Sequence, residues 1–269
     1  MKGANFWAVI FGLTLFMLGI DSSFSTLEAT STVIHDTKIG MKTPRKLVAL
    51  ILCICGVIFS LVYCFNWGFT MFDVVDHYLN VYLMLLMGVL ECLAVGWIYE
   101  AEDIIKKVNK ATVVSLFVGY WVTLFVAGIM TFTLIPDKFY YGMLAYWVTQ
   151  IVTIIVSWRL SGLSYKEWHF TVAMYGVRKL SRTMTQLTRA KGAPRQRWED
   201  VFDLWWGVSI KFISPFMLWF LLTFSIGLDL KNNYGGYHVF WQCLGLVFPI
   251  MGMLIFIVAA FVCTEKDPN

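Results

Sequence analysis

The 269 residues are 59% hydrophobic, 17% aromatic and 14% charged, with a mean hydropathy of +0.70 and a formal net charge of +4. Soluble domains carry about 25% charged and about 45–50% apolar residues, so this composition excludes a water-soluble globule. The apolar residues fall in long unbroken runs rather than alternating segments of about ten, which excludes a membrane β-barrel and leaves spanning helices, the form that bonds every peptide group internally.

Seven segments have the length and apolarity to span, within one membrane domain over 1–269. The first, Asn5–Val33, follows a single lysine and lacks a small-residue cleavage pattern, so it does not read as a secretory signal. Leu47–Phe65 comes after a basic link containing Pro44, and Val74–Tyr99 carries Asp76 and Glu91. Val113–Leu134 and Tyr140–Trp158 flank Pro136. The connector 159–203 is basic and too polar to span. In its middle, Phe170, Ala173, Val177, Leu180 and Met184 recur at helical spacing. A surface-lying amphipathic helix and a solvated connector fit that pattern equally. Leu204–Leu228 and Tyr237–Cys263 complete the set, separated by the turn residues Asn232–Gly236.

Lys and Arg concentrate on the cytoplasmic side of spanning proteins. With the N-terminus outside, 18 of the 21 basic residues fall on the inner side, and only Lys2, Lys138 and Lys231 lie opposite. The topology expected is N-terminus out, seven spans, C-terminus in. The stretch Arg178–Arg197 then reads as a retention signal beside anionic lipid rather than a nucleic-acid patch. Tryptophans and tyrosines at span ends, such as Trp67, Trp97 and Tyr99, read as interfacial anchors. The six cysteines have no metal-ligand spacing and read as small buried hydrophobes. The four histidines lie in separate regions, so no metal site other than one for an alkali cation is expected. No nucleophile–base pair or metal constellation suggests an enzyme.

The chemistry concentrates in the first segment, where Asp21, Ser22, Ser23, Ser25 and Thr26 lie deep in a spanning run. A carboxylate and four hydroxyls there need another helix, a water-filled cavity or a bound ion. Oxygen-only ligands suit a hard cation such as sodium. Leu18, Ser22 and Thr26 follow at i, i+4 spacing and share a face, and a hydroxyl at i+4 can free the carbonyl at i for an outside partner. Helix packing through small hydroxyl residues is the competing explanation.

The run Asn5-Phe6-Trp7 with Leu18-Gly19-Ile20-Asp21-Ser22-Ser23-Phe24 closely resembles the eighth transmembrane helix of the neurotransmitter:sodium symporter family. Asp76-His77-Tyr78, Glu91 and Gly96-Trp97-Ile98-Tyr99 resemble its tenth helix. Lys211-Phe212-Ile213-Ser214-Pro215 resembles the start of the eleventh, and the last segment the twelfth. The resemblance therefore covers most of the chain in family order, from the eighth helix onward. Val113–Trp158 stands outside it as an added pair of spans, which leaves the topology of everything after it unchanged.

The resemblance implies an all-α membrane fold, the truncated second half of an inverted-repeat transporter. It also implies a function: part of a sodium-coupled secondary active symporter for amino acids or related amines, working by alternating access. It implies a sodium site formed by the Leu18 carbonyl, the Asp21 carboxylate and the Ser22 hydroxyl, and a substrate face of Ser22, Ser23 and Thr26. Asp76 would be the acid of an extracellular gate. Glu28 and Glu91 are further acids, read either as coupling or gating groups or as protonated, hydrogen-bonded packing groups. Sodium is the implied coupling ion, with chloride a candidate second ion and no other cofactor. The implied partners are a small amino acid or amine, the bilayer, and the N-terminal helices of the same carrier, which bear the remaining sodium ligands and the gate arginine. The plasma membrane is the implied location. A non-transporting receptor or assembly protein derived from the same fold is the alternative. An N-terminus outside without a signal sequence fits either a free-standing chain or one whose upstream helices lie elsewhere, and the resemblance favours the second.

Overall fold

The computed structural model describes residues 3–35, 40–134, 138, 140–189 and 196–262. Pro136, the Gly192-Ala193-Pro194 turn, Cys263 and the basic residues Lys2, Lys38, Lys191, Arg195 and Lys266 lie outside the described residues. No strand occurs among the described residues, and seven helices are long and apolar enough to cross a membrane. The chain is an all-α integral membrane protein. It divides into two compact units, Met1–Phe72 and Asp73–Asn269.

In the first unit, α1 (Ala4–His35) is followed by a single turn at Gly40–Lys42 and then by α2 (Arg45–Ser60), which folds back on α1. Gly40 permits the reversal, since a Cβ there would collide with the Ile34 carbonyl. Most of α1 and α2 is exposed, including Phe11, Phe16, Ile54 and Phe59. Apolar side chains facing outward are expected where the surroundings are hydrocarbon. The same reason corrects the reading of the cysteines. Cys53, Cys55, Cys64 and Cys243 are exposed, and only Cys92 among the described ones is partly covered.

α3 (Gly68–Tyr78) begins at the end of the first unit. It continues as one long helix through a π-turn at Leu79–Leu83, α4 (Met84–Leu93) and a second π-turn at Ala94–Ile98. The helix stops where Glu100 adopts a left-handed conformation (φ 60°, ψ 19°), and the short α5 (Ala101–Lys107) follows. Next come α6 (Lys110–Leu134) and α7 (Tyr140–Ser161), the most closely packed pair in the unit. Gly142 makes the approach possible, because a side chain there would strike Thr131 and the Ala127 carbonyl. At the other end of the pair, the Ser157 hydroxyl donates to the Thr112 carbonyl (3.1 Å) and accepts from Trp168 Nε1 (3.2 Å).

The connector is helical. α8 (Tyr165–Trp168) starts with a capping box at Ser164, a π-turn spans His169–Ala173, and α9 (Tyr175–Thr188) follows a break at Met174. Ala173, Met174 and Val177 are buried against protein. Gly176 closes on the Tyr99 carbonyl, where a Cβ would come within 2.6 Å. Of the connector's apolar stripe, Ala173 and Val177 therefore pack on protein, while Phe170 and Met184 stay exposed. Burial and the neighbouring Arg178 both hold His169 below the usual imidazole range. α10 (Arg197–Val208), a π-turn at Ser209–Ile213 and α11 (Ser214–Lys231) form the sixth spanning helix. After a turn at Tyr234–Gly236, α12 (Val239–Val262) packs on the first π-turn.

The core forms around Pro215. Proline has no N–H, so it cannot bond the carbonyl four residues back, which here is Lys211's. That carbonyl accepts Trp97 Nε1 instead (3.2 Å), and the next, on Phe212, accepts the Tyr120 hydroxyl (3.1 Å) with the Tyr146 hydroxyl at 3.5 Å. Tyr120 and Tyr146 are 0% and 1% exposed. Three spans thus close over one break, two of them from the pair Val113–Trp158. Replacing both tyrosines by phenylalanine should destabilise the fold by about 0.6–2 kcal/mol, read as a lower midpoint in detergent unfolding. An unchanged midpoint would show that other groups satisfy the broken helix.

Candidate functional site

On α1 the hydroxyl residues divide into two kinds. Ser23, Ser25, Thr26 and Thr30 donate to carbonyls one turn back, on Gly19 (2.8 Å), Asp21 (3.0 Å), Ser22 (2.9 Å) and Thr26 (2.8 Å). A hydroxyl bonded in this way is satisfied by its own helix. Asp21 and Ser22 differ: among the described residues neither side chain has a hydrogen-bond or ion-pair partner, and both are exposed. Helical periodicity sets Leu18, Asp21 and Ser22 on one face. Ser22, Ser23 and Thr26, with Leu27, Thr30 and Leu52 of α2, line an open groove of about 460 Å³. Leu18 and Asp21 are not part of that lining. A carboxylate and a hydroxyl with free lone pairs can hold a hard cation. Thr26 and Ser23 retain acceptor lone pairs after donating.

The acids Glu28 and Glu91 are exposed and have no side-chain partner among the described residues. Asp76 is exposed and accepts from Asn80 Nδ2 (2.8 Å).

A polar cluster around Asp76 was not legible in the sequence. His77 Nε2 meets Asp229 Oδ2 at 2.7 Å, and the Tyr82 hydroxyl donates to the same oxygen (2.9 Å). The His77 ring stacks on Tyr234 with centroids 3.6 Å apart and planes at 10°. Asp73 accepts from Tyr234 (3.1 Å) and Tyr237 (2.9 Å). Gln242 accepts from Tyr78 (2.7 Å) and donates to the Tyr234 carbonyl (2.8 Å). Two acids thus clamp the turn between α11 and α12 to α3. Asp76, one turn from Asp73 and beside His77, projects from the edge of the clamp.

The sequence model of the sodium:neurotransmitter symporter family matches residues 1–161. The chain belongs to the sodium:neurotransmitter symporter family. The match contains the polar face of α1, Asp76 and the span pair α6–α7, and it ends at the start of the connector. Among relatives, the sodium- and chloride-dependent glycine transporter 2 of Xenopus laevis is 24% identical over 165 residues, 61% of this chain and 18% of that protein. The sodium-dependent neutral amino acid transporter B(0)AT2 of Mus musculus is 26% identical over 168 residues, 61% of this chain and 20% of the relative. The human sodium- and chloride-dependent neutral and basic amino acid transporter B(0+) is 30% identical over 108 residues, 39% and 17% of the two chains. The chain spans about a fifth of the length of these curated relatives. No solved structure matches it. The family is one of sodium-coupled transporters, not enzymes.

A second group that sequence reasoning missed is Lys211. Counted by hydropathy among the inner basic residues, it is 3% exposed, with Nζ 4.7 Å from the Trp97 ring centroid. The Ala94–Ile98 and Ser209–Ile213 π-turns pack on each other, and Gly96 approaches the Lys211 Cα so closely that a Cβ would sit 3.3 Å away. A lysine next to a Ser-Pro break gave no signal of burial, because the covering tryptophan lies 114 residues away.

The clamp makes a direct prediction. Asp229→Asn weakens the bonds to both His77 and Tyr82 and should destabilise the protein by about 1–3 kcal/mol. Tyr82→Phe removes one bond and should destabilise it less. Thermal unfolding of the three proteins checks the order; equal midpoints would contradict it.

Proposed function

We propose that this chain forms part of a sodium-coupled symporter for amino acids or related amines, working by alternating access. The observation that carries this reading is that Asp21 and Ser22 keep unpaired oxygens on a spanning helix where the adjacent hydroxyls of Ser23, Ser25 and Thr26 bond their own backbone. Unpaired polar groups at membrane depth mark ion and substrate pathways. Sodium would be held by the Asp21 carboxylate, the Ser22 hydroxyl and the Leu18 carbonyl. The groove along Ser22, Ser23 and Thr26 would take the polar end of the substrate. The remaining ligands would come from further helices of the same carrier.

The N-terminus lies outside in this reading, and the plasma membrane is the proposed location. Asp76 then sits at the outer end of its helix as the acid of the outer gate, supported from behind by the Asp73 and His77 clamp. Glu28 falls toward the inner end of its span, and Glu91 midway along its own. Chloride is assigned to no residue of this chain.

Sodium-dependent uptake by the carrier containing this chain tests the assignment. Asp21→Asn and Ser22→Ala should raise the sodium concentration for half-maximal uptake about tenfold or more, the equivalent of losing one charged or polar ligand contact of roughly 1.4 kcal/mol. Thr30→Ala, in the same groove but bonded to its helix, should leave it unchanged. Uptake with an unaltered sodium requirement in both ligand variants would refute the site. Retained substrate binding with no uptake under any sodium gradient would favour the receptor alternative.

A further inference from the structure

The connector carries a feature that transport does not use. α9 presents Arg178, Lys179 and Arg182 within two turns and carries no acid along Tyr175–Thr188. These three line a recess of about 350 Å³ together with Phe170, Tyr175, Thr183 and Gln186. The opposite face of the helix, at Val177, Ser181 and Thr185, is buried in the protein. The basic residues are thus fixed on a docked helix rather than strung along a loose loop.

Each cation is held by a surrounding group. Arg178 lies over the Phe170 ring, with Cζ 4.4 Å from the centroid. Lys179 Nζ meets Glu100 at 2.6 Å and Asp103 at 3.8 Å, and the bond to Glu100 holds its amine above the usual range, so it stays charged. Arg182 Nε stands 3.6 Å from Asp203 Oδ2, and although buried it makes no hydrogen bond. Asp203 Oδ1 already accepts from Ser181. The Arg182 side chain is nevertheless 42% exposed, so its Nη groups, rather than the buried Nε, are the donors left for the recess. Planar guanidiniums spaced one turn apart match the oxygens of a phosphate group.

We propose that the α9 recess binds a phosphate group through Arg178, Lys179 and Arg182, as carried on the headgroup of an anionic phospholipid. The Tyr175, Thr183 and Gln186 side chains would contact the remainder of the headgroup. The lipid source depends on the orientation proposed above, which places the connector at the anionic cytoplasmic leaflet. The phosphate chemistry does not depend on it. Because α9 docks on Tyr99 and Glu100, where the third span ends, occupancy would reach the span through Lys179.

Native mass spectrometry of the purified full chain, mixed with phosphatidylinositol phosphate, phosphatidylserine or phosphatidylcholine, tests this. The phosphoinositide should be retained about tenfold more than phosphatidylcholine, and Arg178→Gln with Arg182→Gln should remove that preference. Arg159→Gln, outside the recess, should not. Arg178→Gln alone leaves the Arg182–Asp203 contact intact and should lower retention several-fold while the protein stays folded by circular dichroism, which keeps the test valid should the double variant misfold. Soluble inositol phosphate competing at the same concentration as the lipid would keep the phosphate site but assign it to a free metabolite. Equal retention of all three lipids, or equal loss with Arg159→Gln, would overturn the proposal.

Discussion

Every oxygen in hydrocarbon must find a donor or a cation, and that constraint organises both units of this chain. In the second unit the oxygens are the Lys211 carbonyl, which Pro215 cannot bond, and the neighbouring Phe212 carbonyl, and the chain answers them itself with Trp97, Tyr120 and Tyr146. In the first unit most hydroxyls of α1 answer their own backbone, whereas the Asp21 carboxylate and Ser22 hydroxyl find nothing among the described residues. The fold rests on the satisfied set. The proposed function rests on the unsatisfied one.

The span pair α6–α7 gains meaning from the same constraint. Read as an addition to the family pattern, it nevertheless supplies two of the three side chains that close the break before Pro215, and it lies within the region matched by the family model. Its packing relies on Gly142 and on the bond from Ser157 to the Thr112 carbonyl. The polar clamp of Asp73, His77, Asp229 and Tyr234 serves the far end of the same unit. There it holds the turn between α11 and α12 with charge-assisted bonds beside the stacked His77 and Tyr234 rings.

Hydropathy and helical period made the seven long helices and the polar face of α1 legible, because both signals act within one segment. Groups whose partners are remote in sequence were not legible. His77 meets Asp229 across 152 positions, and nothing local to either residue reports the other. The connector shows a different limit. Ala173 and Val177 recur at the spacing of an amphipathic helix, but period alone cannot distinguish a face that meets lipid from one that meets Tyr99 and Gly207. The cysteines of α2 failed for a related reason. An apolar residue in a spanning helix need not be inside the protein, so Cys53 and Cys55 face outward. Lys211 was misjudged because charge normally argues for exposure, whereas here the wide π-turn and Trp97 enclose it.

The central claim is that Asp21 and Ser22 are left unpaired by the protein so that a monovalent cation can complete them. The most direct measurement is a structure of the carrier containing this chain with thallium in place of sodium. Anomalous density within bonding distance of the Asp21 carboxylate and the Ser22 hydroxyl is the predicted result. Density elsewhere, with Asp21 hydrogen-bonded to a neighbouring helix, would contradict the account.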